Sequence, residues 1–377
     1  MGHSFSTLLV FISAFILLFP SAQVLAQEKT ARILMVLSSY GEKNTDGELV
    51  KPGYEFDEMS KAYLVFKHAG ADVDFTSPKG GELVTDNYDK NKRYNQSFLA
   101  DEAAVHALAS SLKLSDINAD NYDAVFVVGG KGPMFDLRDN KQLKRVIRDI
   151  YERGGAVGAV CHGPAALLDI KLSDGSYLVG GKRISAFSNE EEAVFSKKWQ
   201  LPFLLEDELS AQGAVFRQDA LMLNQVSVDQ RLVTGQNPFS TADTAKALVE
   251  QLGLEFDAGL EFKDDKTVKL VEAFFKDRKQ AAKQYQQTPE SYDTMLLAML
   301  GVYHARYAKS EIERDVAIVL MQQTIDEIKH AALYTALVEA YIDENELAQA
   351  AQLLKQSKAL FPDDQGLATL RTQLANR

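Results

Sequence analysis

Cysteine is almost absent from this chain, since its 377 residues contain only Cys161. One cysteine excludes an intrachain disulfide, so the fold must rest on an ordinary hydrophobic core. Hydrophobic residues make up 46% of the sequence, which is enough for a sizeable core. The length suggests two domains, or one large domain with an appendage. The lone cysteine is therefore either an inert buried residue or a reactive thiol.

Basic residues are outnumbered by acidic ones. The chain has 41 Lys and Arg against 53 Asp and Glu, which gives a formal net charge of −12 at pH 7. An excess of negative charge is repelled by the phosphate backbone of nucleic acids. The charge balance therefore indicates that nucleic acid is not a partner.

Charged side chains are missing from residues 1–26. An apolar run over residues 8–19 is followed by small residues that end at Ala26, which is typical of a secretory signal peptide and its cleavage site. We expect a signal peptide over 1–26, a mature chain that begins at Gln27, and export to the periplasm or the medium. An uncleaved membrane anchor is the alternative. The run is short for a bilayer span, so we expect no stable membrane insertion after cleavage.

Strand and helix patterns alternate between residues 31 and 255, and this alternation predicts a mostly parallel sheet with helices on both faces. We assign residues 27–255 to this α/β domain. The predicted strands are 33–37, 73–76, 124–128 and 154–160, and the predicted helices are 53–69, 103–112, 141–153 and 241–252. A hairpin is predicted over 226–233, with its turn at Asp229 and Gln230.

Glycine becomes scarce beyond residue 256, where Ala, Leu, Gln and Lys dominate, as expected for helices. Residues 331–362 match the spacing of a tetratricopeptide repeat, and an ordinary helical hairpin is the equal alternative. The positions that fit the repeat are Tyr334, Leu337, Tyr341, Ala350, Leu354 and Pro362. One or two repeats are too few to stand alone, so we expect the region 256–377 to pack on the α/β domain.

Cys161 lies between a predicted buried strand and the residues that begin with Gly163 and Pro164, which suit the first turn of a helix. A thiol on such a sharp strand-to-helix turn occupies a nucleophile elbow. Backbone N–H groups at a helix start favour negative charge, so we expect a lowered thiol pKa, with the adjacent His162 available to take the proton.

Three polar clusters follow strands of the predicted sheet. They begin at Ser38, Gly129 and Cys161, and parallel strands would bring them to one edge of the sheet, where sites of such folds form. Gly130 and His162 could then direct backbone N–H groups at the reacting centre as an oxyanion hole, although a plain tight turn is the alternative at Gly130.

Two carboxyl groups complete the candidate site. Glu192 could orient His162 as a triad acid, with Glu190 or Glu191 in its place if the register differs, or these residues could form an ordinary acidic helix N-terminus. Glu58 falls on the first predicted helix, where most carboxylates are simply solvated.

The motifs of this chain resemble those of the ThiJ/PfpI family, which belongs to the class I glutamine amidotransferase-like superfamily with a flavodoxin-like fold. They are AVCHGPA at 159–165, VVGGKGPMFD at 127–136, AGADVDFTSPKGG at 69–81 and LVTGQNP at 232–238. The resemblance is strongest to the chaperone and glyoxalase III branch. It covers residues 31–252 and does not include the helical region.

This resemblance implies that Cys161 is the nucleophile, His162 the neighbouring base and Glu192 the third acidic residue. It also implies that Glu58 hydrogen-bonds the cysteine, and a carboxyl group so close to a thiolate should keep or share a proton. Some members bind zinc through histidines outside this site. The other histidines of the mature chain have no ligand-like spacing, so we expect no metal and no cofactor: His68, His106, His304 and His330.

The resulting prediction is an exported glyoxalase III-like enzyme that acts on a small aldehyde and protects against such compounds. A stress-related holdase chaperone that binds protein partners through the helical region, and a cysteine-dependent amidase or peptidase, are the alternatives. Members of the family often dimerise, so a homodimer is expected unless the added region blocks that interface. Residues 82–121 are expected to border the site.

Overall fold

The fold is built around a seven-stranded sheet with the spatial order β10-β11-β7-β6-β1-β4-β5. Neighbouring strands are parallel except for the antiparallel pair β10 and β11 at one edge. The strands of the structure are β1 (Arg32–Val36), β2 (Glu42–Lys43), β3 (Leu49–Lys51), β4 (Asp72–Ser77), β5 (Leu112–Lys113), β6 (Ala124–Val127), β7 (Ala156–Val160), β8 (Arg183–Ile184), β9 (Val215–Phe216), β10 (Val226–Asp229) and β11 (Leu232–Gly235).

This architecture comes from a computed structural model that describes residues 1–2, 30–256 and 259–376. Nearly all of the predicted signal peptide therefore lies outside the described residues. Within these ranges, no helix is both long and apolar enough to cross a membrane. The helices are α1 (Phe56–His68), α2 (Arg93–Leu99), α3 (Glu102–Ala109), α4 (Pro133–Asp136), α5 (Lys141–Glu152), α6 (Asn189–Phe195), α7 (Leu205–Ala211), α8 (Thr241–Gln251), α9 (Lys263–Lys276), α10 (Arg278–Gln287), α11 (Thr294–Tyr307), α12 (Glu311–Thr324), α13 (Ala331–Asp343), α14 (Leu347–Leu360) and α15 (Gln365–Ala375).

Successive side chains of a central strand point to opposite faces of the sheet, and each face packs in its own apolar layer. In β1, Ile33 and Met35 join the layer that contains α1 and α8, whereas Leu34 and Val36 join the layer that contains α5. All four are fully buried, so both faces of the sheet are covered. This confirms the predicted α/β fold class.

The sequence located most elements of this domain within a few residues. The hairpin forms between β10 and β11, but its turn lies at Gln230 and Arg231, one residue later than predicted. Gln230 has φ of 56°, a left-handed conformation that a two-residue hairpin turn requires. The helix predicted over 103–112 ends at Ala109, because Leu112 pairs with the sheet as part of β5.

Helices α9 to α15 form the predicted helical region, and they pack on the α/β domain through a shared apolar core. That core joins Leu223 of the α/β domain to Val271 and Phe274 of α9 and to Leu297 of α11. A second core lies wholly within α11 to α15. Residues from Ala31 onwards accordingly form one compact unit.

All of the residues that fit a tetratricopeptide repeat except Pro362, which follows α14, lie on the paired helices α13 and α14. Tyr334, Leu337 and Tyr341 on α13, and Ala350 and Leu354 on α14, are all buried in the core of the helical region. This pattern agrees with a repeat and equally with a helical hairpin. The repeat assignment therefore remains a prediction.

Candidate active site

Cys161 follows β7 directly and occupies a strained turn. Its φ of 59° is in the left-handed region, which non-glycine residues rarely adopt, and such strain concentrates at functional sites. The Cys161 N–H donates to the carbonyl of Gly235 (3.0 Å), and the Cys161 carbonyl accepts from the N–H of Phe187 (2.9 Å). At Gly163 a Cβ would lie 2.4 Å from the carbonyl oxygen of Val127, so glycine is required there. The backbone therefore has the geometry of the predicted elbow.

The segment after the cysteine differs from the prediction. Residues Gly163–Leu167 form a short 3₁₀ helix, and Leu168 is already extended. A helix this short has few aligned peptide dipoles, so its N-terminus gives little stabilisation to a thiolate.

His162 links the thiol to a carboxylate. Its Nδ1 lies 3.3 Å from the Cys161 sulfur, and its Nε2 lies 2.8 Å from Oε1 of Glu192. The imidazole also stacks on the ring of Phe187, with 4.4 Å between the centroids. His162 and Glu192 are both buried, so water does not compete for these contacts.

This geometry defines the tautomer of the neutral imidazole. A carboxylate can only accept a hydrogen bond, so the Nε2 proton of His162 is donated to Glu192 and the Nδ1 lone pair faces the sulfur. Burial lowers the pKa of His162 from its ordinary value of 6.5, although Glu192 opposes that shift. Burial acts to raise the pKa of Glu192, but the hydrogen bond and the charge of His162 outweigh it, so that pKa is lowered. The ring is therefore neutral near pH 7 and can accept the thiol proton.

The other two glutamates of α6 have different partners. Glu191 caps the helix by accepting from the Ser188 N–H, and its second oxygen accepts from the side chains of Gln236 and Asn237. Glu190 forms an ion pair with Lys309 of the helical region. Among the three alternatives, the structure brings Glu192 to His162.

Glu58 is fully buried on α1 and reaches the same centre. Its Oε2 accepts a hydrogen bond of 2.8 Å from the Gly129 N–H. A Cβ at Gly129 would lie 2.7 Å from both the Cys161 Cβ and the Glu58 Oε2, so only glycine lets these groups approach. Burial raises the pKa of Glu58 well above its usual range, and the neighbouring Glu55 adds to this shift. Glu58 therefore keeps its proton to a higher pH than an ordinary glutamate does.

The expectation of a lowered thiol pKa is wrong. Burial raises the pKa of Cys161 well above its ordinary value, and the Glu58 carboxyl group adds to the shift. The Gly130 backbone and the Lys131 ammonium both act to lower the pKa of Cys161 but do not prevail. The resting residue is consequently a neutral thiol.

Gly130 follows β6 and adopts φ of 80°. A Cβ at this position would lie 2.5 Å from the backbone nitrogen of Glu55, so the loop before α1 closes tightly over it. The Gly130 backbone acts to lower the pKa of Cys161. An oxyanion role for the Gly130 N–H and for that of His162 remains a prediction.

The polar clusters at the carboxyl ends of β1, β6 and β7 do meet at one edge, because these strands are neighbours in the sheet. The cluster after β1, which begins at Ser38, has a structural role, because its polar groups bind Asp136. Ser38 Oγ and the Ser39 N–H both donate to the half-buried carboxylate of Asp136. Burial raises the pKa of Asp136 to about 6.

Two charged residues near the centre were not predicted from the sequence, although a local signal existed for each. Burial raises the pKa of Glu55 to about 8, and Lys131 is the cation that acts on Glu55, Glu58 and Cys161. The positions of Glu55, three residues before Glu58, and of Lys131, next to Gly130, were the available signals.

Asp86 also lies near the centre, and it gave no sequence signal. Its side chain accepts from the Gly53 N–H (2.8 Å), and its charge acts on His162. Asp86 lies within residues 82–121, so this part of the expected border does approach the site.

The remaining histidines of the predicted mature chain stand apart from this centre. His68 donates from Nδ1 to the carbonyl of Leu64, and His304 is buried against Phe275. Across the described ranges, no group of three or more His, Cys, Asp or Glu side chains could hold a metal ion. The expectation of no metal and no cofactor stays a prediction.

Comparison with known proteins gives a consistent family assignment. The sequence model of the DJ-1/PfpI family matches residues 48–251. The glutathione-independent glyoxalase hsp3102 of Schizosaccharomyces pombe is 31% identical over 247 residues, which cover 60% of this chain and 99% of that protein. The crystal structure of glyoxalase III from Candida albicans is 27% identical with a TM-score of 0.53, and it covers 61% of this chain and 98% of its own. Rapid Encystment Protein 24 kDa of Francisella tularensis is 32% identical with a TM-score of 0.55, and it covers 59% of this chain and 99% of its own.

Proposed function

Because the chain belongs to the DJ-1/PfpI family, we propose that it is a glutathione-independent glyoxalase that converts methylglyoxal and glyoxal to 2-hydroxy acids. The observation that carries this proposal is the hydrogen-bonded series from Cys161 through His162 to Glu192. A protonated Glu58 stands close to the sulfur and adds a second group that can move a proton.

The first step is addition of the thiol to the aldehyde. The Cys161 sulfur bonds to the aldehyde carbon while Nδ1 of His162 takes the S–H proton. The carbonyl oxygen becomes an oxyanion near the Gly130 N–H and then takes the proton back from His162, which gives a hemithioacetal and leaves His162 neutral. Because the thiol is neutral at rest, its activation depends on a neutral His162.

The second step moves hydrogen between the two adjacent carbons. Neutral His162 removes the proton from the carbon that carries sulfur, and the electrons form an enediolate, while the protonated Glu58 is available as a proton donor. Protonation of the other carbon then gives the thioester of a 2-hydroxy acid. Water hydrolyses this thioester, releases lactate from methylglyoxal or glycolate from glyoxal, and restores the thiol. The net reaction adds one water and needs no oxidant.

Access to the sulfur favours a small substrate. Cys161 is 3% exposed, and the loop that contains Gly53 and Tyr54 packs closely against Gly130. A two- or three-carbon aldehyde needs only a narrow opening, whereas an amidase or peptidase must place a planar amide and its substituents around the nucleophile. The burial of the thiol therefore supports the aldehyde over a polypeptide substrate.

The decisive test is methylglyoxal consumption by the purified protein without glutathione, with lactate measured as the product. We expect turnover by the wild type and none by Cys161→Ala. Cys161→Ser is the matched control, since it keeps a hydroxyl group but lacks the soft nucleophile, and it should also be inactive. Turnover retained by Cys161→Ala would rule out the proposal.

Export is a separate proposal that rests on the sequence of residues 1–26. We propose that the chain is processed after Ala26 and acts outside the cytoplasm. N-terminal sequencing of the protein from the exported fraction should give Gln27 as the first residue. An unprocessed chain that starts at Met1 would contradict this proposal.

A chaperone role and dimer formation also remain hypotheses. Suppression of aggregation that persists in Cys161→Ala would support a chaperone activity independent of catalysis. Sedimentation of the purified protein would measure the oligomeric state.

A further inference from the structure

The short helix α6, which carries Glu192, is held from outside by the helical region. The ring of Phe195, the last residue of α6, contacts Tyr303 of α11 edge to face, with 5.0 Å between centroids. At the other end of α6, Glu190 forms an ion pair with Lys309, which follows α11. Two contacts from one segment of the helical region thus reach both ends of α6.

The same contacts continue inward to the catalytic imidazole. Phe195 lies 6.5 Å from Phe187, and Phe187 stacks on His162 at 4.4 Å. Phe187 also donates its N–H to the carbonyl of Cys161. A continuous series of rings therefore runs from Tyr303 of the helical region to His162 of the candidate site.

A seven-residue helix has little intrinsic stability, because isolated helices of this length are marginal in water. Its N-terminus has a capping box formed by Ser188 and Glu191. Its C-terminal turn depends on tertiary contacts, and Phe195 is three residues from Glu192, which places the two on neighbouring positions of one helix face. A shift of Phe195 should therefore shift the carboxylate that orients His162.

We infer that Tyr303 and Lys309 are positioning residues for the His162–Glu192 pair, so that the helical region forms part of the catalytic apparatus. Both residues lie outside residues 48–251, the part matched by the family model. The two positioning residues thus belong to the helical region, which the family model does not include. The inference concerns the same site as the proposed function and rests on it for its effect on turnover.

The chain offers a direct probe of this inference, because Cys161 is its only cysteine. The rate of alkylation by iodoacetamide, measured against pH, reports how readily this thiol loses its proton. It does not require that methylglyoxal is a substrate. Failure of the proposed function would appear as an inactive wild type, and the alkylation profile would still test the positioning role.

The variants are Tyr303→Ala and Lys309→Met, with Tyr303→Phe as the conservative rescue. The matched control is Tyr307→Ala, which removes an exposed tyrosine one turn further along α11. Circular dichroism and thermal unfolding would establish that each variant is folded. Lys309 is a surface residue, so its replacement should leave the fold intact even if Tyr303→Ala does not fold.

For Tyr303→Ala we expect kcat to fall about tenfold with little change in KM, since misplaced catalytic groups slow the chemical step. The alkylation profile should move to higher pH because the base no longer lies correctly beside the thiol. Lys309→Met should show the same change to a smaller degree, as expected for an exposed ion pair. Tyr303→Phe and Tyr307→Ala should match the wild type. Alkylation profiles of folded Tyr303→Ala and Lys309→Met that superimpose on the wild type would overturn the inference.

Discussion

The imidazole of His162 and the carboxylate of Glu192 are joined by a hydrogen bond of 2.8 Å inside the protein. The bond fixes which nitrogen carries the proton and leaves the other nitrogen 3.3 Å from the Cys161 sulfur. A neutral thiol beside an oriented neutral base resembles a hydrolase triad more than a preformed thiolate–imidazolium pair. The catalytic step should accordingly be sensitive to the orientation of the ring.

Glu192→Gln should lower kcat by about 100-fold, because proton transfer by a positioned base contributes about 100-fold or more. The glutamine amide can also donate, and it no longer selects the Nε2–H tautomer. Steady-state kinetics with methylglyoxal would measure the effect. Glu250→Gln, at an exposed position of α8, is the control and should leave kcat unchanged. Equal rates for Glu192→Gln and the wild type would remove Glu192 from the mechanism.

The pH dependence of kcat should be bell-shaped, with both limbs explained by burial. His162 accepts a proton only when it is neutral, and its pKa lies below 6.5, so activity should persist in mildly acidic solution and decline at lower pH. Glu58 donates a proton only below its raised pKa, so activity should also decline on the alkaline side.

Glu192→Gln also provides a check on the acid limb of this profile. Glu192 raises the pKa of His162, so its neutralisation should move the acid limb to still lower pH while the maximal rate falls. An acid limb that moves to higher pH would contradict the assigned role of His162.

Gly130→Ala should remove activity through a steric clash rather than through backbone strain alone. The new Cβ would meet the nitrogen of Glu55 at 2.5 Å and displace the loop before α1. Gly154→Ala is the matched control, since Gly154 has φ of 95° but a Cβ added there would meet no atom within 4 Å. Both variants should lose about 1 kcal/mol of stability to the left-handed backbone. Only Gly130→Ala should lose turnover as well, and equal turnover in the two would contradict this account.

Lys61→Met should strongly destabilise the contact between α1 and α9. Lys61 is 1% exposed and forms ion pairs with Asp264, at 2.9 Å, and with Asp265. Removal of one partner from a buried ion pair costs about 3–5 kcal/mol. Chemical denaturation would measure the loss of unfolding free energy. Lys266→Met, at a surface position of α9, is the control and should change stability by less than about 0.5 kcal/mol.

The loss in Lys61→Met should depend on pH with a defined sign. The pKa of Asp265 is already raised to about 7 by burial, against 3.8 for an ordinary aspartate. A carboxyl group with a raised folded pKa favours the folded state below its unfolded pKa, and this contribution is lost as pH rises through the folded pKa. Without the ammonium group this effect should grow, so the variant should become less stable between about pH 4 and 7. Addition of Asp264→Asn and Asp265→Asn to Lys61→Met should restore part of the stability, and no recovery would contradict the buried-charge explanation.

Much of the site could be predicted because its signals are local. The elbow at Cys161 was evident from a small-residue strand before it and from Gly163 and Pro164 after it. The proximity of Gly129 and Cys161 could be predicted because the carboxyl ends of parallel strands lie at the same edge of a sheet. The choice of Glu192 over Glu190 and Glu191 as the partner of His162 required the resemblance to a family. Three consecutive glutamates have the same chemistry, and the residues alone do not show which one faces the histidine.

The protonation state of the thiol could not be predicted from the same local pattern. The sequence suggested that a helix N-terminus would lower the pKa of Cys161, but burial and the Glu58 carboxyl group raise it. Desolvation depends on every segment that excludes water from the sulfur, including α1, which brings Glu58 to Cys161 and is distant in sequence.

The amino-acid sequence by itself determined the sheet, the strained cysteine turn and the helical character of residues beyond 256, because periodicity, glycine placement and composition act over short distances. Only the tertiary structure decided that Lys61 is buried against Asp264 and Asp265, and that Tyr303 reaches α6 through Phe195. These contacts join residues that are far apart along the chain, and their strength comes from the exclusion of water when the helices pack. No local pattern encodes that exclusion, so the dependence of the site on the helical region appears only in the folded chain.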